Sequence, residues 1–175
     1  MTSPIYTSML NKSEVFNMSE NLLGKNIPEA ELIALDEKGP KKVKFSELKG
    51  APALLLFFPL VNTGVCHSEM CSIRDSIQRY NSLKTRVIAV SIDSPFAWKL
   101  WAEKEGFKFE FWSDFNKEAS NKLGCIYEEL VGLKGVSKRS AFIVDAKGII
   151  QYAWISEDSK KLPLFDEIVS VLQKL

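Results

Sequence analysis

The sequence has only one histidine and three cysteines among its 175 residues, which limits the metal and disulfide sites that it can form. Three cysteines cannot all be paired within one chain, so we expect no disulfide scaffold and thiols that are reduced between reactions. A zinc site is not expected, because these four residues lack paired C-x-x-C or H-x-x-x-H spacing. The residues considered are Cys66, His67, Cys71 and Cys125. We therefore expect neither a metal nor an organic cofactor.

The chain also lacks an excess of charge of either sign and a long apolar run. Lys and Arg number 23 and Asp and Glu number 22, which gives a formal net charge of +1. No overall field therefore favours binding to nucleic acid or to an anionic membrane. The apolar stretch at residues 51–61 is among the longest, and it has about half the ~20 residues that span a bilayer. Since no charged and apolar leader pattern is present at the N-terminus, we expect a cytoplasmic protein.

Residues 1–20 are polar and show no sustained hydrophobic period. We expect a loosely ordered extension there, and Met18 is an alternative start of the natural chain. Residues 21–175 are expected to form one domain, because a chain that is 46% hydrophobic and has eleven Phe can bury a single good core.

Strand and helix patterns alternate along the remaining residues, which predicts a sheet with a parallel component. The clearest strand is the apolar run ALLLFF at residues 53–58, which lies between two prolines. The other predicted elements are a hairpin with a short helical turn at 31–48, a strand at 86–92, helices at 95–105 and 116–123, a hairpin at 141–155 and a closing helix at 164–175.

Cys66 lies where a helix is predicted to begin. Apolar positions recur with the period of an amphipathic helix at Cys66, Met70, Ile73, Ile77 and Tyr80. The first turn of a helix has unpaired backbone N–H groups and the positive end of the helix dipole, which favour a negative charge. Because the thiolate is the nucleophilic form of cysteine, this position predicts a reactive thiol at Cys66.

The segment FFPLVNTGVCHSEMCSIRD around this cysteine resembles the active-site segment of the peroxiredoxins, the AhpC/TSA superfamily. Pro59, Thr63 and Cys66 reproduce its P-x-x-x-T-x-x-C signature, and residues 87–124 and 138–150 resemble its later strands and helices. FFPL…TG is similar to the one-cysteine AhpE-like branch, whereas the second cysteine resembles the bacterioferritin comigratory protein, or PrxQ, branch. The resemblance implies an α/β, thioredoxin-like fold with a central mixed sheet flanked by helices and an N-terminal β-hairpin.

The resemblance also implies a thiol-dependent peroxidase that reduces hydrogen peroxide and organic hydroperoxides, with Cys66 as the peroxidatic nucleophile. In the family pattern, the Thr63 hydroxyl accepts from the peroxide and donates to the sulfur, while Pro59 walls the pocket against water. Arg139 corresponds to the arginine that fixes thiolate and peroxide. From the residues alone other roles remain: a helix N-cap for Thr63, a strand terminator for Pro59 and a solvated surface residue for Arg139.

Cys71 is the candidate resolving cysteine, which would form a disulfide with the sulfenic acid of Cys66. On an ideal helix it lies about 140° around from Cys66, with Cα atoms about 8 to 9 Å apart. That separation exceeds the ~7 Å limit for a disulfide, so resolution requires the helix to unwind. The alternative is that Cys71 is a small apolar residue on the flank of the helix.

Three classes of function remain open, and the first two differ in the role of Cys71. With a resolving Cys71, the partners are a peroxide and a thioredoxin or similar dithiol reductant, and the protein is a monomer or a homodimer. With a structural Cys71, an external thiol attacks the sulfenic acid in a one-cysteine mechanism. A non-enzymatic redox sensor or holdase, which oxidises once and does not turn over, is the remaining alternative.

Other residues near the site have less specific interpretations. His67 follows Cys66 directly, but adjacent helical side chains point about 100° apart, so we expect a solvated histidine and not its base. Glu69 either anchors the arginine, as the resemblance implies, or is an ordinary first-turn glutamate. Cys125 is expected to be a small buried hydrophobe. The aromatic residues expected to lie mostly in the core are Phe96, Trp98, Trp101, Phe107, Phe109, Phe111 and Trp112.

Overall fold

The computed structural model describes residues 19–175, so the extension predicted at 1–20 lies almost wholly outside the described residues. The strands are β1 (Glu31–Asp36), β2 (Gly39–Lys44), β3 (Ala53–Phe57), β4 (Arg86–Ser91), β5 (Glu110–Ser113), β6 (Glu129–Leu130), β7 (Leu133–Lys134), β8 (Ser140–Val144) and β9 (Ile150–Ile155). The helices are α1 (Gly64–Ser82), α2 (Pro95–Glu105), α3 (Glu118–Lys122) and α4 (Phe165–Leu172), with a 3-10 helix at Phe45–Leu48.

Seven of these strands form one sheet in the order β2-β1-β5-β4-β3-β8-β9. Strands β3, β4 and β5 are parallel, whereas β8 runs antiparallel to β3 and β1 runs antiparallel to β5. The sheet is therefore mixed, with β1 and β2 forming the predicted N-terminal hairpin. Strands β6 and β7 form a separate two-stranded sheet.

The sheet has an apolar core on each face, because side chains alternate along the strands. Strand β3 is buried at every position. Leu54 and Leu56 pack on the face that carries α1, α2 and α4, whereas Leu55 and Phe57 pack on the face that carries α3 and the 3-10 helix. This confirms the prediction of a fully buried central strand. No helix in the part of the chain from residue 19 onward is long and apolar enough to cross a membrane.

Two differences from the predicted elements have local causes. Helix α3 is shorter than the predicted 116–123, because Lys117 has a left-handed backbone (φ 61°) and the Asp114 carboxylate accepts from the N–H groups of Ala119 and Ser120. The side chain of Asp114, four residues before Glu118, therefore sets where this helix begins. Among the aromatic residues expected in the core, Phe96 is 57% exposed, because it lies on the outward face of α2.

Candidate active site

The end of β3 and the start of α1 place Cys66 in the first helical turn. Thr63 is the N-cap residue, with an extended backbone (φ −102°, ψ 151°), and Cys66 is the third residue of the helix. The N–H of His67 donates to the Thr63 carbonyl at 2.7 Å, while the first N–H groups of a helix have no acceptor within it. Cys66 is 2% exposed, so the dipole at this helix end acts on a thiol that water barely reaches.

The guanidinium of Arg139 lies beside the sulfur of Cys66. Its Nη2 donates to Cys66 Sγ at 3.3 Å, and its Nε and Nη2 donate to the Ser159 carbonyl at 3.0 and 2.8 Å. Arg139 is 1% exposed and directly precedes β8. Because β8 pairs with β3 so that Ser140 lies opposite Phe57, the arginine comes next to the point where the chain turns into α1.

Glu69 completes a buried charge cluster with Arg139. Its Oε2 accepts from Arg139 Nη1, and its Oε1 has no hydrogen-bond partner among residues 19–175. Burial raises the pKa of Glu69 to about 7, although the charge and hydrogen bond of Arg139 oppose the rise. Glu69 was expected either to anchor the arginine or to be an ordinary glutamate at the surface of the first helical turn. The structure has the first arrangement, because the buried carboxylate contacts Arg139.

We expect the stability that Glu69 contributes to fall as the pH rises from about 4.5 to about 7. The folded protein keeps a proton on this carboxyl that the unfolded chain has already lost within this window, so rising pH favours unfolding there. Urea denaturation across this range should show a wild-type advantage over Glu69→Gln that shrinks up to about pH 7 and is constant above it. Glu103→Gln, which alters an exposed carboxylate, is the matched control. A difference that does not vary with pH would contradict this prediction.

Pro59 and Thr63 lie in the loop between β3 and α1. Pro59 is buried and Thr63 is exposed. The Thr63 hydroxyl donates to the Leu60 carbonyl at 3.0 Å and makes no side-chain cap to the helix. The expected donation from Thr63 to the Cys66 sulfur is therefore wrong for this state, because the single hydroxyl proton goes to a carbonyl, which is a stronger acceptor than a thiol. The oxygen lone pairs are left to accept from a substrate.

Cys71 lies in the second turn of α1, on a different side of the helix from the Cys66–Arg139 contact. The helix is continuous through both cysteines, and both are free thiols. Cys71 Sγ lies 3.4 Å from His67 Nε2, which in turn lies 3.9 Å from Glu105 Oε2. His67 is therefore only partly solvated, and its cysteine neighbour is Cys71 because residues four apart share a helix face. Sequence reasoning missed Glu105, which comes from the end of α2.

The third cysteine lies apart from these groups. Cys125 is fully buried, and this burial raises the pKa of the Cys125 thiol, so the sulfur stays protonated. This agrees with the expectation of a small buried hydrophobe.

Together, the groups around Cys66 can stabilise a thiolate and an oxygen that gains negative charge. The guanidinium and the helix N–H groups are donors fixed in place before any substrate binds, which is the arrangement that stabilises developing charge best. Glu69 and the Ser159 carbonyl hold the guanidinium from its other sides.

Comparisons with known proteins agree with this geometry. Residues 23–153, more than half of the chain, match the AhpC/TSA family. Alkyl hydroperoxide reductase E of Mycobacterium bovis is 33% identical over 122 residues, which cover 68% of this chain and 77% of that protein. Peroxiredoxin-2 of Bos taurus is 30% identical over 142 residues, which cover 77% of this chain and 69% of that protein.

A solved structure confirms the thioredoxin-like fold. The crystal structure of the reduced 2-Cys peroxiredoxin of Plasmodium vivax has a TM-score of 0.74 to this chain at 23% identity. It covers 87% of this chain, which in turn covers 80% of that one. With the match of residues 23–153 and the two relatives above, the chain belongs to the AhpC/TSA family and is a peroxiredoxin, a thiol-dependent peroxidase.

Proposed function

We propose that Cys66 is the peroxidatic cysteine and that it reduces hydrogen peroxide and organic hydroperoxides. The observation that carries this assignment is the 3.3 Å contact between Arg139 Nη2 and Cys66 Sγ at a helix start. Cys125 is buried away from any guanidinium among the described residues. The sulfur of Cys71 lies beside the imidazole of His67, which is a weaker source of positive charge than a guanidinium. Cys66 is thus the cysteine whose thiolate is best supported.

In the first step the Cys66 thiolate attacks one oxygen of the peroxide bond. The S–O bond forms as the O–O bond breaks, so the sulfur becomes a sulfenic acid and the other oxygen leaves as alkoxide or hydroxide and takes up a proton. Arg139 and the first N–H groups of α1 face the charge that develops on the oxygens. The Thr63 hydroxyl accepts from the peroxide, and buried Pro59 limits the access of water to the sulfur.

In the second step Cys71 attacks the sulfenic acid of Cys66. A disulfide forms and the sulfenic oxygen leaves as water, after which a thioredoxin-like dithiol reduces the disulfide and restores both thiols. The partial exposure of Cys71 supports this role, because a resolving thiol must move. We place the cycle in the cytoplasm, where such reductants operate, in a monomer or homodimer built on residues 21–175.

Intact mass after one equivalent of peroxide tests the two-cysteine mechanism. The wild-type protein should lose two hydrogens, as one disulfide forms, while Cys71→Ser should gain one oxygen at Cys66. A wild-type protein that keeps the sulfenic acid and consumes peroxide only with an external thiol would establish the one-cysteine mechanism instead. A protein that is oxidised once and never turns over with any reductant would be a sensor.

Disulfide formation is also expected to unwind the start of α1. The two Cα atoms are about 8 to 9 Å apart in an intact helix, which is too far for a disulfide. Met70 and Ile73 are 0% and 1% exposed, so the oxidised form should lose packing there. Peptide-resolved hydrogen exchange should therefore be faster across residues 63–73 of the oxidised protein, with α4 as the internal control. Unchanged protection in a protein with a verified Cys66–Cys71 disulfide would refute this motion.

A further inference from the structure

The side chains of His67, Cys71 and Glu105 converge where α1 meets the end of α2. One nitrogen, one sulfur and one oxygen from these residues all lie within 4.8 Å of one another. Cys71 Sγ is 3.4 Å from His67 Nε2, and Nε2 is 3.9 Å from Glu105 Oε2. With zinc bonds of about 2.0 to 2.3 Å, tetrahedral ligand atoms lie about 3.5 Å apart. The three atoms therefore need only small side-chain shifts to bind one ion.

Packed elements hold these three side chains in place. His67 and Cys71 are four residues apart on one helix face, and Glu105 is the last residue of α2. Arg74 Nη1 donates to the Glu105 carbonyl at 2.8 Å, which fastens the end of α2 to α1. The ring of Trp101 lies against the imidazole, with centroids 6.1 Å apart, and is 4% exposed. The ligand geometry is thus set by the fold.

The charges at this point suit a divalent cation. A Cys71 thiolate and the Glu105 carboxylate together balance two positive charges, and His67 supplies a neutral nitrogen. Lys104 Nζ lies 3.7 Å from the other carboxylate oxygen, Glu105 Oε1, but its side chain is 70% exposed and solvent screens its charge. The cations Lys104 and Arg74 therefore weaken binding without preventing it. The His67 side chain is 40% exposed, so water reaches the site as a fourth ligand.

We propose that His67, Cys71 and Glu105 bind a zinc ion. A mixed sulfur, nitrogen and oxygen set suits Zn²⁺, whereas Mg²⁺ and Ca²⁺ prefer oxygen ligands throughout. The expectation of no zinc site rested on the spacing of the cysteines and the histidine alone. It did not include Glu105, a carboxylate that lies 34 positions beyond Cys71 in the chain.

The consequence of this site for catalysis rests on the proposed function, in which Cys71 resolves the sulfenic acid. Resolution joins Cys66 Sγ to Cys71 Sγ and expels water, so it removes the thiolate that zinc needs. Zinc binding and disulfide formation therefore exclude each other. Bound zinc also ties the second turn of α1 to α2 and opposes the unwinding that resolution requires. Zinc should thus slow the loss of the sulfenic acid and leave its formation unchanged.

The binding test uses the reduced protein without peroxide, so it does not depend on the resolving role. Competition with a chromogenic chelator should give one Zn²⁺ per chain, and Co²⁺ should give a thiolate-to-cobalt absorption band. Zinc affinity should fall more than about tenfold in each of three variants, His67→Gln, Cys71→Ser and Glu105→Gln. Loss of a residue that only hydrogen-bonds to a metal ligand already lowers affinity about tenfold or more, and these variants remove a ligand itself. Cys66→Ser and Glu103→Gln, which alter a neighbouring cysteine and an exposed carboxylate, should keep the affinity. Unchanged affinity in the first three variants would overturn the site.

A second measurement tests the coupling to the reaction. Rapid mixing with peroxide should show the same rate of sulfenic acid formation with and without Zn²⁺, followed by at least about tenfold slower disulfide formation in the zinc-loaded protein. Equal rates of disulfide formation in a protein shown to be zinc-loaded would overturn the coupling. Zinc bound by the three ligands in a protein that forms no Cys66–Cys71 disulfide would support the site and refute the resolving role of Cys71.

Discussion

Replacing Cys66 with serine should abolish peroxide consumption. The reaction needs an ionised nucleophile at neutral pH, and a serine hydroxyl is protonated there and is a much weaker nucleophile than a thiolate. The groups that surround the sulfur cannot compensate, because Arg139 is a donor and Glu69 is already committed to it. The measurement is the consumption of many equivalents of peroxide per enzyme molecule, in the presence of excess dithiol reductant.

Cys125→Ala is the matched control for this experiment, since it removes a cysteine whose thiol is buried and stays protonated. It should keep its rate per folded molecule, with the folded fraction taken from circular dichroism. Retention of more than about a tenth of wild-type activity in Cys66→Ser would show that another residue is the nucleophile.

Replacing Arg139 with alanine should slow the oxidation of Cys66 by about a hundredfold or more, which is the scale of losing one preorganised donor. The thiolate loses the guanidinium at 3.3 Å, and the peroxide loses the cation that would stabilise its departing oxygen. Stopped-flow oxidation of Cys66 by hydrogen peroxide measures this rate.

Two further variants keep this prediction testable if Arg139→Ala unfolds because Glu69 is left buried without its partner. Arg139→Lys keeps a positive charge for Glu69 but lacks the planar fork that now reaches Cys66, Glu69 and Ser159 together, so oxidation should still slow clearly. Arg79→Ala removes a half-exposed arginine that pairs with Asp166 on the surface and should not change the rate. An unchanged oxidation rate in folded Arg139→Lys would show that the arginine has no part in the chemistry.

The sequence predicted those elements whose signals are local. Strand β3 is a continuous apolar run between prolines, and α1 has an apolar stripe that starts at Cys66, so both were found within a residue or two. Helix α2 begins at Pro95 and ends before Gly106 in a left-handed conformation (φ 72°), and its bounds were predicted correctly for that reason.

Contacts between distant residues had no local signal. Arg139 precedes a strand, where most arginines are solvated, and only the family resemblance placed it at Cys66. The His67–Cys71 contact is visible in the four-residue spacing, but the approach of Glu105 depends on how α2 packs on α1. The Thr63 hydroxyl was assigned to the sulfur because the motif does not show that the Leu60 carbonyl is 3.0 Å away.

The contact between Arg139 and Cys66 joins residues 73 positions apart, and this separation matters while the chain is being synthesised. At about 5 to 20 residues per second, translation of these 73 residues takes roughly 4 to 15 s. During that interval the nascent chain has Cys66, the proposed peroxidatic cysteine, but not the guanidinium of Arg139, and β8 has not yet been added beside β3. Under the proposed function, the protein therefore gains its full reactivity only when the last fifth of the chain, from Arg139 onward, has folded.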